Sequence, residues 1–166
     1  MKRDERVERF ERWVTAFQPV VFRAAYLILR DRSGAEDVAQ ETFIRAFRAM
    51  ERSDPGDGVR AWLYRIAVNT ALNELRRQKR EKVAYSRTQL SDVVSAPDVE
   101  TRSVIADAID RLPDHLRIPV ICRYFLDLSE QEMAEVLHVR PGTVKSRLHL
   151  ARKALATDEN LAGVST

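Results

Sequence analysis

Hydrophobic residues recur at intervals of three and four positions along most of this chain, a period that predicts helices rather than strands. In the first 50 residues the pattern predicts an amphipathic helix, then a nearly all-apolar helix that Pro19 opens and that runs through Leu29, then a third helix. Ser33 and Glu36 have the spacing of a capping box at the start of this third helix. The inward-facing residues of the first and third helices are Val7, Phe10, Val14 and Phe17, and Val38, Phe43, Phe47 and Met50.

A glycine- and aspartate-rich segment, residues 54–58, predicts a loop before a long helix from about Val59 to Lys82. This helix carries two stripes, about 140° apart at 3.6 residues per turn. The apolar stripe is Tyr64, Val68, Ala71, Leu72 and Leu75, and the polar stripe is Asn69, Asn73, Arg76, Arg77 and Arg80. Amides followed by guanidinium groups suit a nucleic-acid strand, and a solvated polar face is the alternative. Trp62, Tyr64 and Tyr85 could stack on unpaired bases, but the apolar neighbours of Trp62 favour the core for that residue.

The next segment, residues 83–103, is polar and has no sustained period, which predicts a flexible linker. After it, hydrophobic stripes predict four helices: one from Ile105 to Leu112, one from Leu116 to Phe125 that Pro119 kinks, and two that form a helix-turn-helix. The predicted domains are residues 1–82 and 104–166. The predicted fold class is therefore all-α, with two small helical domains joined by a flexible linker, the second a helix-turn-helix (winged-helix-like) DNA-binding domain.

The helix-turn-helix is the most informative pattern in the chain. Ser129 and Glu132 form a capping box at its start, and His138 occupies the turn, where the backbone is often left-handed and histidine is tolerated. One apolar stripe of the second helix consists of Val144, Leu148, Ala151 and Leu155. From Arg140 to Lys153 there are five Lys or Arg residues and no acidic residue, so this helix can approach phosphates while short polar side chains reach base edges. The capped partner helix and the turn disfavour the alternative of a solvated amphipathic helix.

Charge and cysteine content narrow the function further. Residues 1–85 hold 18 basic and 13 acidic residues, and residues 104–166 hold 8 and 9, so the second domain has a basic helix on an otherwise acidic body. The single cysteine, Cys122, lies in an apolar run and is predicted to be a buried hydrophobe without a disulfide or zinc partner. The charged N-terminus lacks the apolar core of a signal peptide, and no apolar run could span a membrane. We therefore expect a cytoplasmic protein without a metal or cofactor.

Along nearly its whole length the chain resembles the extracytoplasmic-function (ECF) sigma factors, the sigma-70 family initiation subunits of bacterial RNA polymerase. The segment from Gly34 to Phe47 is similar to the family's polymerase-docking helix, and the segment from Arg60 to Asn69 to its promoter-melting helix. Leu112-Pro113 and the segment from Leu128 to Arg147 are similar to its minus-35 reading domain. The order of these motifs and the linker length also agree, and this combination is specific, whereas a helix-turn-helix alone is not.

The resemblance implies roles for three sets of residues. The first set would contact the clamp helices of the largest polymerase subunit: Asp37, Gln40, Glu41 and Arg45. The 52–61 loop would receive a base flipped from the minus-10 non-template strand, and a second set would line and hold that strand: Asn69, Asn73, Arg76, Arg77, Lys79 and Arg80. The third set would meet the minus-35 duplex: Arg140, Thr143, Lys145, Ser146, Arg147 and His149. Leu150 stands where the family often has arginine, which implies one missing contact and allows apolar contact with a thymine methyl.

The predicted function is promoter-specific transcription initiation, and the chain is not expected to be an enzyme. Its expected partners are core RNA polymerase, promoter DNA and, from the resemblance alone, an anti-sigma factor; the free protein is expected to be a monomer that does not insert into membranes. A free-standing helix-turn-helix transcription regulator is the alternative, which predicts a dimer and leaves the docking face and the Asn/Arg stripe without a task. An enzyme acting on nucleic acid is disfavoured, because paired metal-binding carboxylates and a phosphate-binding glycine loop are missing from the sequence.

Overall fold

The protein folds as two separate helical units. The computed structural model describes residues 3–88 and 104–158, and within these ranges the chain forms helices and turns without a strand. The division falls between residues 1–96 and residues 97–166. The predicted all-α fold with two helical domains is therefore confirmed. Residues 89–103, most of the predicted linker, lie outside the described residues, so its flexibility stays a prediction.

A single helix, α1 (Arg3–Leu29), takes the place of the two N-terminal helices predicted. The prediction that Pro19 opens a second helix is wrong, because Pro19 lies inside α1. Proline removes the backbone N–H that would bond the carbonyl four residues earlier, but Pro19 is on the exposed side of the helix, where water can reach that carbonyl. On the other side one stripe continues past the proline, from the half-buried Val14 to the buried Val21 and Ile28. Packing of this continuous stripe against the next two helices keeps α1 in one piece.

The second helix, α2 (Arg32–Ala49), is capped by Asp31 and not by the predicted Ser33. Asp31 Oδ2 accepts a hydrogen bond of 3.0 Å from the backbone N–H of Gly34, which places Ser33 inside the first turn. Glu36, the predicted reciprocal partner, instead pairs across 3.3 Å with the arginine that begins the helix. A Cβ atom on Gly34 would lie 2.6 Å from Asp31 Oδ2 and 3.0 Å from a glutamine side chain of the following helix. Glycine at this position therefore allows the cap and the neighbouring helix to approach closely.

A short 3-10 turn (Gly56–Gly58) leads into α3 (Val59–Thr88), which packs against both α1 and α2. The predicted apolar stripe forms the core of this unit, with Tyr64, Val68, Ala71 and Leu72 all buried. Trp62 is half-buried and meets Trp13 of α1 edge-on, with 6.2 Å between ring centroids, which favours a packing role over base stacking. The helix continues six residues beyond the predicted end at Lys82, so the beginning of the predicted linker is helical.

The second unit contains four helical segments within residues 104–158, as predicted. Helix α4 (Val104–Arg111) is followed by α5 (Asp114–Val120), which contains Pro119 and passes directly into a π-helical turn (Ile121–Phe125). Helices α6 (Glu130–Leu137) and α7 (Pro141–Ala156) complete the unit. Its fully buried side chains include Ile121, Leu126, Leu128, Met133 and Val144.

The connection between α6 and α7 has the local structure that the sequence predicts. Ser129 Oγ accepts a hydrogen bond of 3.1 Å from the N–H of Glu132, whose carboxylate accepts one of 2.7 Å from the N–H of Ser129. His138 is left-handed, with φ 54° and ψ 44°. The stripe of Val144, Leu148 and Ala151 is buried. The helix-turn-helix is therefore confirmed, and the opposite face of α7 points outward.

Candidate functional site

The outer face of α2 presents the four residues predicted to contact polymerase. Asp37, Gln40 and Arg45 are exposed and Glu41 is half-buried, because these positions lie opposite the buried stripe of the helix. Arg45 Nε donates a hydrogen bond of 2.6 Å to Glu41 Oε1, which joins side chains on successive turns. In the middle of this face Ile44 keeps 46% of its surface exposed. The face thus combines charged groups with an apolar side chain that sequence reasoning did not identify.

A groove between α1 and α2 borders this face. It encloses about 620 Å³ and is lined by five apolar and three polar side chains: Val14, Gln18, Phe22, Glu36, Ala39, Gln40, Phe43 and Ile44. Gln40 and Ile44 belong both to the groove and to the outer face of α2. An apolar centre with polar side chains around it is typical of protein-binding surfaces.

The polar stripe of α3 is exposed along its whole predicted length. Arg76 Nη1 donates a hydrogen bond of 3.2 Å to Asn73 Oδ1, which links an amide to a guanidinium group. At 3.6 residues per turn, Asn69, Asn73, Arg76 and Arg80 fall within a strip about 60° wide, and Lys79 lies on one flank. This narrow strip is a line of hydrogen-bond donors along which a single strand can lie.

Arg77 lies on the flank opposite Lys79 and pairs with two carboxylates. Its Nε and Nη2 donate to the two oxygens of Glu74, at 2.8 and 2.6 Å, and its Nη1 donates to Glu81. The hydrogen bond with Glu74 raises the pKa of Arg77, and the same contact lowers the pKa of Glu74. A phosphate that binds Arg77 must therefore compete with two carboxylates for its guanidinium group.

The 52–61 loop, predicted to receive a flipped base, includes at its end the first residues of α3 (59–61), and the part before them is tied to the fold near its start. Asp54 Oδ1 accepts a hydrogen bond of 3.0 Å from the N–H of Gly56, and Asp54 Oδ2 accepts one of 2.8 Å from Arg9 of α1. The Gly56 hydrogen bond, and then Arg9, lower the pKa of Asp54. Gly56 has φ +53°, a left-handed conformation that favours glycine. Sequence reasoning missed Arg9, because its partner is 45 residues away and no local signal connects them.

The outer face of α7 carries the residues predicted for duplex DNA. Four of them are exposed, namely Arg140, Lys145, Ser146 and His149, and two are half-buried, namely Thr143 and Arg147. Lys145 Nζ lies 3.7 Å from Glu130 Oε2 at the start of α6. Leu150 is 49% exposed. Arg152 lies on the same side of α7 as Lys145, and its Nη1 is 3.4 Å from the hydroxyl of Tyr124. The face is therefore open, with one cation already paired to a carboxylate.

Groups that support metal or thiol chemistry are sparse in the described parts of the chain. Within residues 3–88 and 104–158, no three His, Cys, Asp or Glu side chains are arranged to hold a metal ion. Cys122 is buried, as predicted, and burial raises the pKa of its thiol to about 12. In the same two ranges no helix combines the length and the apolar character needed to cross a membrane.

Two separate parts of the sequence match one protein family. Residues 13–81 match Sigma-70 region 2, and residues 102–155 match Sigma-70, region 4. The sequence is 32% identical to the ECF RNA polymerase sigma factor SigW of Bacillus subtilis, and the alignment covers 86% of this chain and 84% of that protein. The chain belongs to the ECF group of the sigma-70 family.

Further relatives of this sigma factor agree with that placement. The RNA polymerase sigma-H factor of Pseudomonas aeruginosa is 33% identical, with 91% of this chain and 89% of that protein covered. The sigma factor RpoE of Bartonella quintana, solved in complex with the anti-sigma factor NepR, gives a TM-score of 0.73 at 23% identity and covers 96% of this chain and 99% of that one. CnrH, solved with the cytosolic domain of CnrY, gives 0.63 at 23% identity, with 95% and 89% covered. These two structures support the fold.

Family membership settles the general function. The protein is an RNA polymerase sigma factor, with core RNA polymerase and promoter DNA as its partners. It is an initiation factor and not an enzyme. The predicted family and function are thus confirmed, whereas a free-standing regulator does not account for the match to region 2.

Proposed function

We propose that three exposed helix faces divide polymerase binding and promoter recognition between them. The outer face of α2 docks on the clamp helices of the largest polymerase subunit, the stripe of α3 with the 52–61 loop takes the minus-10 strand, and α7 reads the minus-35 duplex. One observation carries this proposal: none of the sixteen residues predicted for these contacts is buried, although the opposite faces of the same helices form the core.

The docking face has the make-up of a protein interface. Ile44 and the groove beside it offer the clamp helices an apolar contact, and Asp37 and the Glu41–Arg45 pair surround it with charge. Interfaces of this kind derive most of their affinity from a few central residues and their selectivity from complementary charges. We infer that Ile44, with Asp37 and Gln40 beside it, forms such a centre.

Opening the minus-10 duplex requires free energy, and the proposed contacts with the separated strand supply it. Extruding one base costs a few kcal/mol of stacking and pairing. Contacts of the 52–61 loop with the extruded base, together with arginine contacts to the phosphates, offset this cost. Asn69 and Asn73 line the path of the strand, and Arg76 and Arg80 hold its backbone. Melting and recognition are then one event that needs no nucleotide hydrolysis.

Replacing Arg76 and Arg80 together with alanine is expected to weaken holoenzyme binding to a minus-10 single strand roughly tenfold or more at low salt. The slope of log K against log salt should fall by about 1.4, since each lost phosphate contact on a single strand contributes about 0.7. Arg77→Ala is the matched control on the same helix, and its effect should be much smaller because Glu74 and Glu81 already pair with Arg77. Titration of a labelled forked promoter fragment at several salt concentrations measures both the affinity and its salt dependence for each variant. An equal loss from Arg77→Ala would contradict this division of the stripe.

The minus-35 duplex is proposed to receive α7 in its major groove. Thr143 and Ser146 are short enough to reach base edges, and Arg140, Lys145 and Arg147 can meet the flanking phosphates. His149 lies one turn beyond Lys145, on the exposed side of the helix. Leu150, which is 49% exposed, can contact a thymine methyl group.

We further propose that an anti-sigma factor holds this sigma factor inactive until it is needed. The support is that RpoE of Bartonella quintana, which has a similar fold, was solved in complex with the anti-sigma factor NepR. The groove beside α2 and the exposed Ile44 offer such an inhibitor the surface that polymerase also uses. Because its target is RNA polymerase, the protein is proposed to act in the cytoplasm, as a monomer when free.

In vitro transcription tests the whole proposal. Bacterial core polymerase is combined with the purified protein and with sheared genomic DNA of the host, and the 5′ ends of the RNA are sequenced. Discrete start sites that depend on the protein are expected, and their upstream sequences should share a minus-10 and a minus-35 element. A core enzyme that is competent with another sigma factor, yet gives no starts dependent on this protein, would contradict it.

A further inference from the structure

Two arginines of α1 hold the loop that precedes α3. Arg9 Nη1 lies 2.8 Å from Asp54 Oδ2, and Arg6 Nη2 lies 3.0 Å from Glu51 Oε1. Each pair joins residues 45 positions apart, so the contacts tie the loop to the N-terminal helix and not to its own flanks. These four residues are called the loop anchor below.

The loop anchor is partly built into the fold. The side chains of Arg6 and Arg9 are only 24% exposed, and their guanidinium carbons lie 5.2 Å and 5.1 Å from the ring centroids of Phe47 and Trp13. Nε of Arg6, and Nε and Nη2 of Arg9, are buried without a hydrogen-bond partner among the described residues. Exposed ion pairs contribute little to stability, but these guanidinium groups are partly desolvated, which strengthens their attraction to the carboxylates. The rings and the carboxylates together fix both arginines in place.

Asp54 connects Arg9 to the turn at the tip of the loop. One carboxylate oxygen accepts from Arg9, and the other accepts from the N–H of Gly56. Both contacts, that of Gly56 more than that of Arg9, lower the pKa of Asp54. On the other side, the ring beneath Arg9 belongs to Trp13, which packs edge-on against Trp62 in the first turns of α3. Helix α1 therefore holds the loop near its start and also contacts the helix that follows it.

We propose that Arg9, with Arg6 beside it, is a positioning residue for strand capture. It holds the 52–61 loop, before DNA arrives, in the shape that receives the minus-10 base. This inference rests on the proposed function of the loop. A preformed loop loses less conformational entropy on binding, so more of the contact energy appears as affinity. Selection of one base also needs the contacting groups at defined positions, which a loosely held loop cannot provide.

Hydrogen exchange of the full-length protein tests the anchor itself. Arg9→Gln removes the charge while keeping a long polar side chain, and Asp54→Asn removes the charge of its partner while keeping an acceptor for Gly56. Arg12→Gln is the matched control, because Arg12 is exposed on the same helix. Amides of residues 51–58 should exchange faster in the first two variants and at the wild-type rate in the control. Equal exchange in Arg9→Gln, Asp54→Asn and Arg12→Gln would overturn the anchor, whatever the loop does in transcription.

Base selection by the holoenzyme tests the consequence. Forked promoter fragments carrying each of the four bases at each minus-10 position are bound by wild-type and variant holoenzymes. Arg9→Gln and Asp54→Asn should each lower the preference for the captured base roughly tenfold, the size expected for coupling between contacting residues. The double variant should lose little more than either single variant. Affinity for core polymerase and for a minus-35 duplex should stay at the wild-type level, which a general loss of folding would not allow.

The two possible failures are distinguishable. If the wild-type holoenzyme shows no preference at any minus-10 position, the proposed function of the loop is overturned, and this inference with it. If the wild type discriminates and both Arg9→Gln and Asp54→Asn discriminate equally well, the positioning role alone is overturned. Asp54→Asn changes an exposed side chain, so it decides the question even if the partly buried Arg9 does not tolerate replacement.

Discussion

Replacing Asp37 and Gln40 together with alanine is expected to abolish binding of this sigma factor to core RNA polymerase. Both side chains are exposed on the outer face of α2, beside Ile44. Truncation of a central interface residue costs about 2 kcal/mol or more, and two such losses make the complex roughly a thousandfold weaker. The fold should be retained, because neither side chain is part of the core and alanine is a better helix former than aspartate or glutamine.

Anisotropy titration of the labelled sigma factor with core polymerase measures this effect. The matched control is Glu11→Ala with Arg12→Ala, which removes two exposed polar side chains from the outer side of α1. The control should bind like the wild type. Wild-type affinity in the Asp37/Gln40 variant, with an unchanged thermal unfolding curve, would remove the outer face of α2 from the docking proposal.

Replacing Lys145 with alanine is expected to weaken minus-35 binding by about 1–3 kcal/mol if Lys145 reads a base edge. The loss should then be confined to duplexes that carry the recognised base. If Lys145 meets only a phosphate, the loss of affinity should be about equal on all sequences. The slope of log K against log salt should then fall by about one. Titration of minus-35 duplexes with single base changes, at several salt concentrations, distinguishes the two roles.

Replacing Glu130 is a control for Lys145, because its expected effect on DNA binding has the opposite sign. The two charged groups are 3.7 Å apart, with 68% and 42% of their side chains exposed. Surface pairs of this kind contribute about 0–1 kcal/mol, so DNA can replace Glu130 as the partner of Lys145 at little cost in free energy. Glu130→Gln should tighten binding, because it removes a competing carboxylate and its repulsion of phosphate. If both Glu130→Gln and Lys145→Ala bind the minus-35 duplex like the wild type, the amine of Lys145 lies away from the DNA.

Features that depend on one or two turns of backbone could be predicted from the sequence. The sequence predicts both the Ser129–Glu132 capping box and the left-handed His138, because cap and turn geometry involve only neighbouring residues. The buried stripe of α7 was also predicted, since a helix repeats every 3.6 residues wherever it packs. The pairing of Arg77 with Glu74 and Glu81 has the same local character, and its spacing of three and four residues was a usable signal.

Helix boundaries were less predictable, because several local signals compete and packing decides between them. Pro19 is typical of a helix start, yet the stripe on either side of it packs as one helix. Ser33 and Asp31 are both suitable caps. The close approach of Gly34 to α3 accompanies the choice of Asp31. One ion pair, between Arg77 and Glu81, lies just before the predicted end of α3, and the helix continues to Thr88.

The sequence by itself thus determined the two helical domains, the family and the helix faces that carry the predicted contacts. Only the tertiary structure decided which distant residues share a surface. It turned Ile44 outward beside a groove, and it brought Arg9 and Asp54 together across 45 residues. The physical reason is that hydrogen bonding within a helix depends on neighbours in the chain. Contacts between α1, α2 and the loop depend instead on how whole helices pack, which no local pattern encodes.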